Sequence, residues 1–132
     1  MIAVDASAVV AILLDEPGNE DYLAILLNGP SVMSPVSYWE AAVAARRSLG
    51  NVGHAELDGL ISHLGIRLEP ITEMTARGAV RAAALYGRHT KAGLNLGDCF
   101  SYALAKEQDG RLLYRGADFS HTDLDLPATD QS

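Results

Sequence analysis

The chain has 132 residues, which is the usual length of one domain. Apolar residues make up 48% of it and charged residues 20%, a balance that is typical of a folded globular protein and excludes intrinsic disorder. The formal net charge of −7 argues against a protein whose main task is to hold a polyanion, but it leaves open an enzyme that acts on one. We therefore expect a single domain over residues 1–132.

Cysteine content and the first residues bear on the compartment. Cys99 is the only cysteine, so we expect neither an internal disulfide nor a zinc site with Cys and His spacing. We interpret it as a buried helix residue rather than a nucleophile, because no His partner is identifiable. The apolar residues 6–14 follow no basic segment and are too few to span a membrane, which takes about 20. We expect a cytoplasmic protein without membrane association.

Hydrophobic periodicity and turn residues predict short apolar strands that alternate with helices. Strands are predicted at residues 2–4, 31–34, 66–71 and 112–114, with a weak fifth strand near 124–126. Helices are predicted near residues 7–14, 20–27, 37–48, 57–64, 73–86 and 95–108. This alternation is typical of an α/β fold with a central parallel sheet of four to five strands, flanked by helices on both faces.

Four carboxylates occupy equivalent points of this pattern. Asp5 directly follows the first strand, and Asp118 follows the fourth. Glu40 and Asp98 lie in the first turns of two predicted helices. Because the carboxyl ends of parallel strands and the helix starts that follow them share one edge of the sheet, we expect the four acids to meet there.

Each acid also has a purely structural interpretation. Asp5 is placed to cap the first helix, and Asp98 is an acid favoured by the dipole at a helix start. Ser37 and Glu40 match a capping box, and Asp118 suits a turn. Taken one at a time, these interpretations are as good as a functional one. The functional interpretation depends on all four acids falling at the same edge.

The charge of such a cluster needs compensation. Two ionised carboxylates about 4 Å apart repel by roughly 4 kcal/mol at an effective dielectric near 20. No Lys or Arg is adjacent in sequence to Asp5, Glu40 or Asp98, so protons or a hard cation must compensate. An all-carboxylate set of ligands suits Mg²⁺ or Mn²⁺ and is poor for zinc. The pattern therefore predicts metal-assisted phosphodiester cleavage by an activated water.

Hydroxyl, basic and aromatic residues near the acids extend the candidate site. Ser7 is placed to bind Asp5 or a water, or only to begin a helix. The candidates for phosphate contacts are Arg46, Arg47, the segment 88–91 and Arg115. Helix-dipole complementarity explains Arg46 and Arg47 equally well. Tyr38 and Trp39 are candidates for base stacking, for packing or for an interface.

Four segments of the chain resemble the PIN domains of VapC toxins. They are residues 2–8, 34–40, 94–105 and 112–123, and the most specific parts are the Asn-Leu-Gly-Asp-Cys and Gly-x-Asp-Phe stretches. Ser7 stands where the family often has Thr, which keeps the hydroxyl. Ala117 stands where a polar residue is common, which leaves open whether Asp118 or Asp123 completes the acidic site.

This resemblance spans nearly the whole chain and implies a PIN-like fold with a cytoplasmic endoribonuclease activity. It implies Mg²⁺ or Mn²⁺ at the acids Asp5, Glu40, Asp98 and Asp118. It further implies structured RNA, such as tRNA or ribosomal RNA, as the substrate. A VapB-type antitoxin is the implied partner, and a homodimer is the implied assembly of the toxin.

Two other classes of protein are compatible with parts of the pattern. A phosphoryl-transfer α/β domain also keeps Asp at strand ends, but a haloacid-dehalogenase-like phosphatase needs a second Asp where Ser7 stands. The acidic pair and late Lys of a receiver domain are not visible either. A catalytically silent PIN-like interaction module would keep the fold, and the four intact acids argue against it.

Overall fold

The computed structural model describes residues 1–124. The strands are β1 (Ile2–Val4), β2 (Ser31–Met33), β3 (Ile66–Leu68) and β4 (Leu112–Leu113). The helices are α1 (Ala6–Leu13), α2 (Asn19–Leu27), α3 (Pro35–Leu49), α4 (Gly53–Leu64), α5 (Glu73–Tyr86) and α6 (Leu96–Glu107). Short 3₁₀ turns cover Gly50–Val52 and Asp118–His121.

The four described strands form one parallel sheet in the order β3-β2-β1-β4. β1 is one of the two inner strands, with Ile2 opposite Ser31 of β2 and Val4 opposite Leu113 of β4. The predicted α/β fold with a parallel sheet is therefore confirmed. Of the weak fifth strand, residue 124 lies outside any strand, and residues 125–126 lie outside the described part of the chain.

Helices cover both faces of the sheet, as the sequence predicted, because strand side chains alternate between two apolar cores. Ile2 and Val4 belong to the core that includes α1, α2, α3 and α4. Ala3 belongs to the opposite core, which α5 and α6 build with Phe119. All of the strand side chains in these cores are almost fully buried. No helix within residues 1–124 has the length and apolar content needed to cross a membrane.

Two predicted boundaries are wrong in ways that matter for the site. α3 begins at Pro35, and the hydroxyl of its N-cap Ser34 accepts the N–H of Val36 at 3.1 Å. Ser37 is therefore inside the helix and buried, so its interpretation as the cap of a box with Glu40 is wrong. The signal was Pro35, since proline favours the first helical position. β3 ends at Leu68, three residues earlier than predicted, and Pro70 has no N–H to continue the ladder.

Candidate active site

Asp5 is a buried carboxylate at the carboxyl end of β1. Its side chain is only 4% exposed, and Oδ2 caps α1 by accepting the N–H of Ser7 at 3.0 Å. The Ser7 hydroxyl donates to the same oxygen at 2.7 Å and accepts the N–H of Arg115 at 2.9 Å. Ser7 therefore binds Asp5 directly and ties it to the backbone that follows β4.

A second hydroxyl binds Asp5 from another helix, and a third lies behind it. Ser101 in α6 donates to Oδ1 of Asp5 at 2.6 Å. The hydroxyl oxygen of Ser37 in α3 lies 2.8 Å from that of Ser101. Reasoning from the sequence gave Ser37 only the role of a helix cap and did not single out Ser101. The available signal for Ser101 was its position three residues after Asp98, which places it on the same face of the helix.

Asp98 lies in the first turn of α6 and forms a reciprocal capping box there. Its Oδ2 accepts the N–H of Asn95 at 3.1 Å, and the Asn95 side chain accepts the N–H of Asp98 at 2.9 Å. The structural interpretation of this acid is thus correct. It does not displace the functional one, because the same first turn faces the other acids.

Glu40 reaches the start of α6 from α3. A Cβ atom added at Gly97 would collide with the Glu40 carboxylate, so the carboxylate lies directly against the backbone of α6 next to Asp98. Only a residue without a side chain allows this approach. Sequence reasoning did not single out Gly97 either, and a glycine within a helix start was the signal for it.

Asp118 and Asp123 lie in different surroundings. Asp118 is exposed in the first turn of the 3₁₀ segment and raises the pKa of Asp98 by its charge. Asp123 instead accepts the Tyr102 hydroxyl at 2.5 Å and the Lys106 ammonium at 3.1 Å. These partners, the Tyr102 hydrogen bond first, lower the pKa of Asp123. Asp118 is therefore the acid that is electrostatically joined to the cluster.

The acids perturb one another's ionisation. Burial, followed by the charge of Asp5, raises the pKa of Asp98 to about 7 against the opposing hydrogen bond from Asn95. The charges of Asp118 and Glu40 act in the same upward direction. Burial and then the charge of Asp5 raise the pKa of Glu40 as well. The structure thus brings acids from four separate parts of the chain into one electrostatic neighbourhood.

No Lys or Arg within residues 1–124 forms an ion pair with any of these four acids. Arg115 lies three residues before Asp118 in the sequence, but its guanidinium pairs with Glu16 at 2.7 Å. The donor set, all carboxylate oxygen and without a counter-charge, fits Mg²⁺ or Mn²⁺ in its chemistry. The side chains do not form a preformed cage, since no three acidic, His or Cys residues among those described are close enough to hold an ion as they stand.

A cleft of about 800 Å³ opens beside the acids, between α5 and the start of α6. Glu40 and Asn95 line it at the acidic end, and Arg88 and His89 contribute to its wall. Part of the predicted basic segment therefore lies beside the site, whereas Arg46 and Arg47 are exposed in the last turn of α3.

The aromatic candidates differ in their contacts. Trp39 is 64% exposed and is not core packing. The Tyr38 hydroxyl donates to Asp58 and contacts His54, each at 2.6 Å.

The parallel α/β sheet and the acids at its carboxyl edge agree with the result of a comparison with known families. The family model described as the PIN domain matches residues 2–124. The chain is therefore a PIN-domain protein.

Proteins of similar sequence assign the chain to one family of PIN-domain proteins. Ribonuclease VapC30 of Mycobacterium tuberculosis is 40% identical over 126 residues, which cover 93% of this chain and 95% of that protein. Ribonuclease VapC of Mycolicibacterium smegmatis is also 40% identical, over 93% of this chain and 97% of its own. Ribonuclease VapC28 of M. tuberculosis is 42% identical, over 90% of this chain and 92% of that protein. The chain belongs to the VapC ribonuclease family.

The fold of the chain is also found in a solved structure. The crystal structure of M. tuberculosis VapC20, a toxin that cleaves the sarcin-ricin loop, superposes with a TM-score of 0.77. The match covers 95% of this chain and 97% of that one at 17% identity, so it bears on the fold alone. The predicted PIN-like fold is confirmed.

Proposed function

We propose that this chain is the toxin of a type II toxin–antitoxin system, a Mg²⁺- or Mn²⁺-dependent endoribonuclease that cleaves structured RNA such as tRNA or ribosomal RNA. One observation carries the proposal: the ionisation of Asp98 is coupled to Asp5, Asp118 and Glu40, and none of the four acids has a cationic partner within residues 1–124. Uncompensated charge of this kind is stabilised by a hard divalent cation.

The division of labour in the site follows from the contacts of each residue. The four acids, Asp5, Glu40, Asp98 and Asp118, would hold the ion. When bound, Mg²⁺ or Mn²⁺ would supply Lewis-acid chemistry at the phosphate and would lower the pKa of a water molecule beside it. Ser7 keeps the Asp5 carboxylate oriented through its hydroxyl and its N–H. Arg88 and His89, on the wall of the adjacent cleft, are placed to contact RNA phosphates.

The net charge of −7 fits an enzyme that acts on RNA without storing it, because tight non-specific binding would need a basic surface. Family membership supports a VapB-type antitoxin as the partner, a homodimer as the assembly and the cytoplasm as the location. Substrate choice in such a site depends on the shape of the RNA around the cleaved bond.

The experiment is cleavage of folded RNA by purified protein with Mg²⁺, with Mn²⁺ or with excess chelator. We expect cleavage only with the divalent ions, and none with Asp98→Asn, which keeps the shape of the side chain and removes its charge. Asp21→Asn, at an exposed position in α2, is the matched control and should cleave like the wild type. Cleavage that persists in chelator would contradict the proposal, and RNA binding without cleavage would favour a catalytically silent module.

A further inference from the structure

A buried chain of hydroxyl groups approaches Asp5 from the interior of the protein. The Ser101 hydroxyl is 2.6 Å from Oδ1 of Asp5, and the Ser37 hydroxyl is 2.8 Å from that of Ser101. Ser37 and Ser101 are at most 1% exposed. Ser101 is 96 positions from Asp5 in sequence, and the two serines are 64 positions apart.

The direction of these hydrogen bonds is fixed by the number of protons. A serine hydroxyl has one proton to donate and accepts through its lone pairs. Ser101 donates its proton to Asp5, so Ser37 must be the donor in the bond between the two serines. The result is a relay from Ser37 to Ser101 to Asp5, in which each bond polarises the next.

Counting hydrogen bonds in the same way shows which oxygen of Asp5 can accept a further ligand. An ionised carboxylate accepts about four hydrogen bonds, two on each oxygen. Oδ2 receives both the N–H and the hydroxyl of Ser7, and Oδ1 receives Ser101. Counting residues 1–124, a single acceptor position on Oδ1 remains, and three hydrogen bonds from Ser7 and Ser101 fix the orientation of the carboxylate.

We propose that Ser101 is a positioning residue which, with Ser37 behind it, orients Asp5 so that the free position of Oδ1 binds the divalent ion. This rests on the metal-dependent function proposed above. A hydrogen-bond partner that fixes a metal ligand typically changes metal affinity or activity by roughly 10- to 100-fold. A hydroxyl that served only helix packing would have no such effect on the ion.

The test is the affinity for Mn²⁺, measured from the electron paramagnetic resonance signal of free Mn²⁺ with purified full-length protein. Ser101→Ala should weaken binding by roughly 10- to 100-fold. Ser101→Cys keeps the shape but is a weaker donor, and should give an intermediate affinity. Ser31→Ala is the matched control, because Ser31 is equally buried on β2 and its hydroxyl has no hydrogen-bond partner within residues 1–124. We expect that variant to bind Mn²⁺ like the wild type.

A double-mutant cycle separates a relay from two independent packing effects. Ser37→Ala should weaken Mn²⁺ binding less than Ser101→Ala does, and should have no further effect in the Ser101→Ala background, where the relay is already broken. Additive effects of the two substitutions would overturn the proposal. Thermal denaturation of each variant shows that it is folded before its affinity is compared.

Asp98→Asn distinguishes failure of this inference from failure of the proposed function. Binding of Mn²⁺ that weakens with Asp98→Asn but is unchanged by Ser101→Ala would overturn the positioning role alone. Binding that is absent from the wild type, or insensitive to Asp98→Asn, would overturn the metal site and the positioning role together.

Discussion

At the scale of single residues, the sequence allows two interpretations of each acid, as a helix cap or turn residue or as part of an acidic cluster, and two of the acids combine both. Asp5 caps α1 and Asp98 caps α6, while each also lies in the acidic neighbourhood. The two roles are compatible because a helix N-terminus stabilises negative charge, and this lowers the cost of gathering acids there. Capping is therefore part of the reason why these carboxylates can be assembled at one edge.

The fourth acid can be identified by substitution. Asp118→Asn should lower the affinity for Mn²⁺ by roughly tenfold or more, because the substitution removes a charge that acts on Asp98. Asp123→Asn should leave Mn²⁺ affinity unchanged. It should lower the free energy of unfolding by about 1 kcal/mol or less, since its exposed ion pair with Lys106 is weak. The reverse pattern in Mn²⁺ titrations would assign the fourth position to Asp123.

At the scale of secondary-structure elements, the site depends on how closely α3 approaches the start of α6. The Glu40 carboxylate lies where a side chain at Gly97 would be. The backbone of Gly97 is ordinary helix without a positive φ, so an alanine there suits the helix itself. Helix formation and access of Glu40 to the site thus have opposite requirements at this position.

Gly97→Ala should therefore separate stability from activity. The added methyl group displaces the Glu40 carboxylate from α6, and we expect the rate of RNA cleavage to fall by roughly tenfold or more. We expect the melting temperature to change little. Gly59→Ala in α4 is the matched control, because among residues 1–124 no atom outside its own stretch of helix lies within 4 Å of its added Cβ. It should raise the stability by about 0.5–1 kcal/mol and leave cleavage intact. Equal cleavage by both variants would show that the approach of Glu40 is dispensable.

At the scale of the whole molecule, the acidic site lowers the stability of the metal-free protein. The pKa of Asp98 is raised from 3.8 to about 7 on folding. Below 3.8 Asp98 is protonated in both states, whereas between 3.8 and about 7 the unfolded chain releases a proton that the folded chain keeps. The unfolded state then binds fewer protons, so the free energy of unfolding falls as pH rises through this window.

We therefore expect the melting temperature in chelator to fall across that pH window, and to fall less in Asp98→Asn. The comparison isolates Asp98 from other titrating groups, since they are common to both proteins. Parallel curves for wild type and variant would contradict the shifted pKa. Thermal denaturation at a series of pH values provides the measurement.

A divalent ion should reverse this loss of stability. Mg²⁺ at about 100 times its dissociation constant would stabilise the folded state by about 2.7 kcal/mol. The increase in melting temperature should be smaller for Asp5→Asn, which lacks one of the proposed ligand charges, and undiminished for the surface control Asp21→Asn. Equal increases in all three proteins would place the bound ion outside the acidic edge.

The hydrophobic pattern was sufficient to predict the order of the elements, because strand and helix periods differ and the strands here are short and apolar. Parallel topology then placed Asp5, Glu40, Asp98 and Asp118 at one edge, since strand carboxyl ends coincide in such a sheet. The same pattern did not fix the residues at which individual helices begin. Ser34 and Ser37 are both serines near the start of α3, and only Pro35 distinguishes the true cap from the buried residue.

The sequence by itself thus determined the α/β architecture and the gathering of the four acids at one edge, because both follow from local periodicity and from where elements begin and end. Only the tertiary structure decided that Ser37, Ser101 and Gly97 belong to the site. A serine or glycine within a helix has no distinguishing local pattern, and its role here comes from which helix packs against it. Because α3 packs on α6, Ser101 binds Asp5, Ser37 lies behind Ser101, and Gly97 lies against the Glu40 carboxylate.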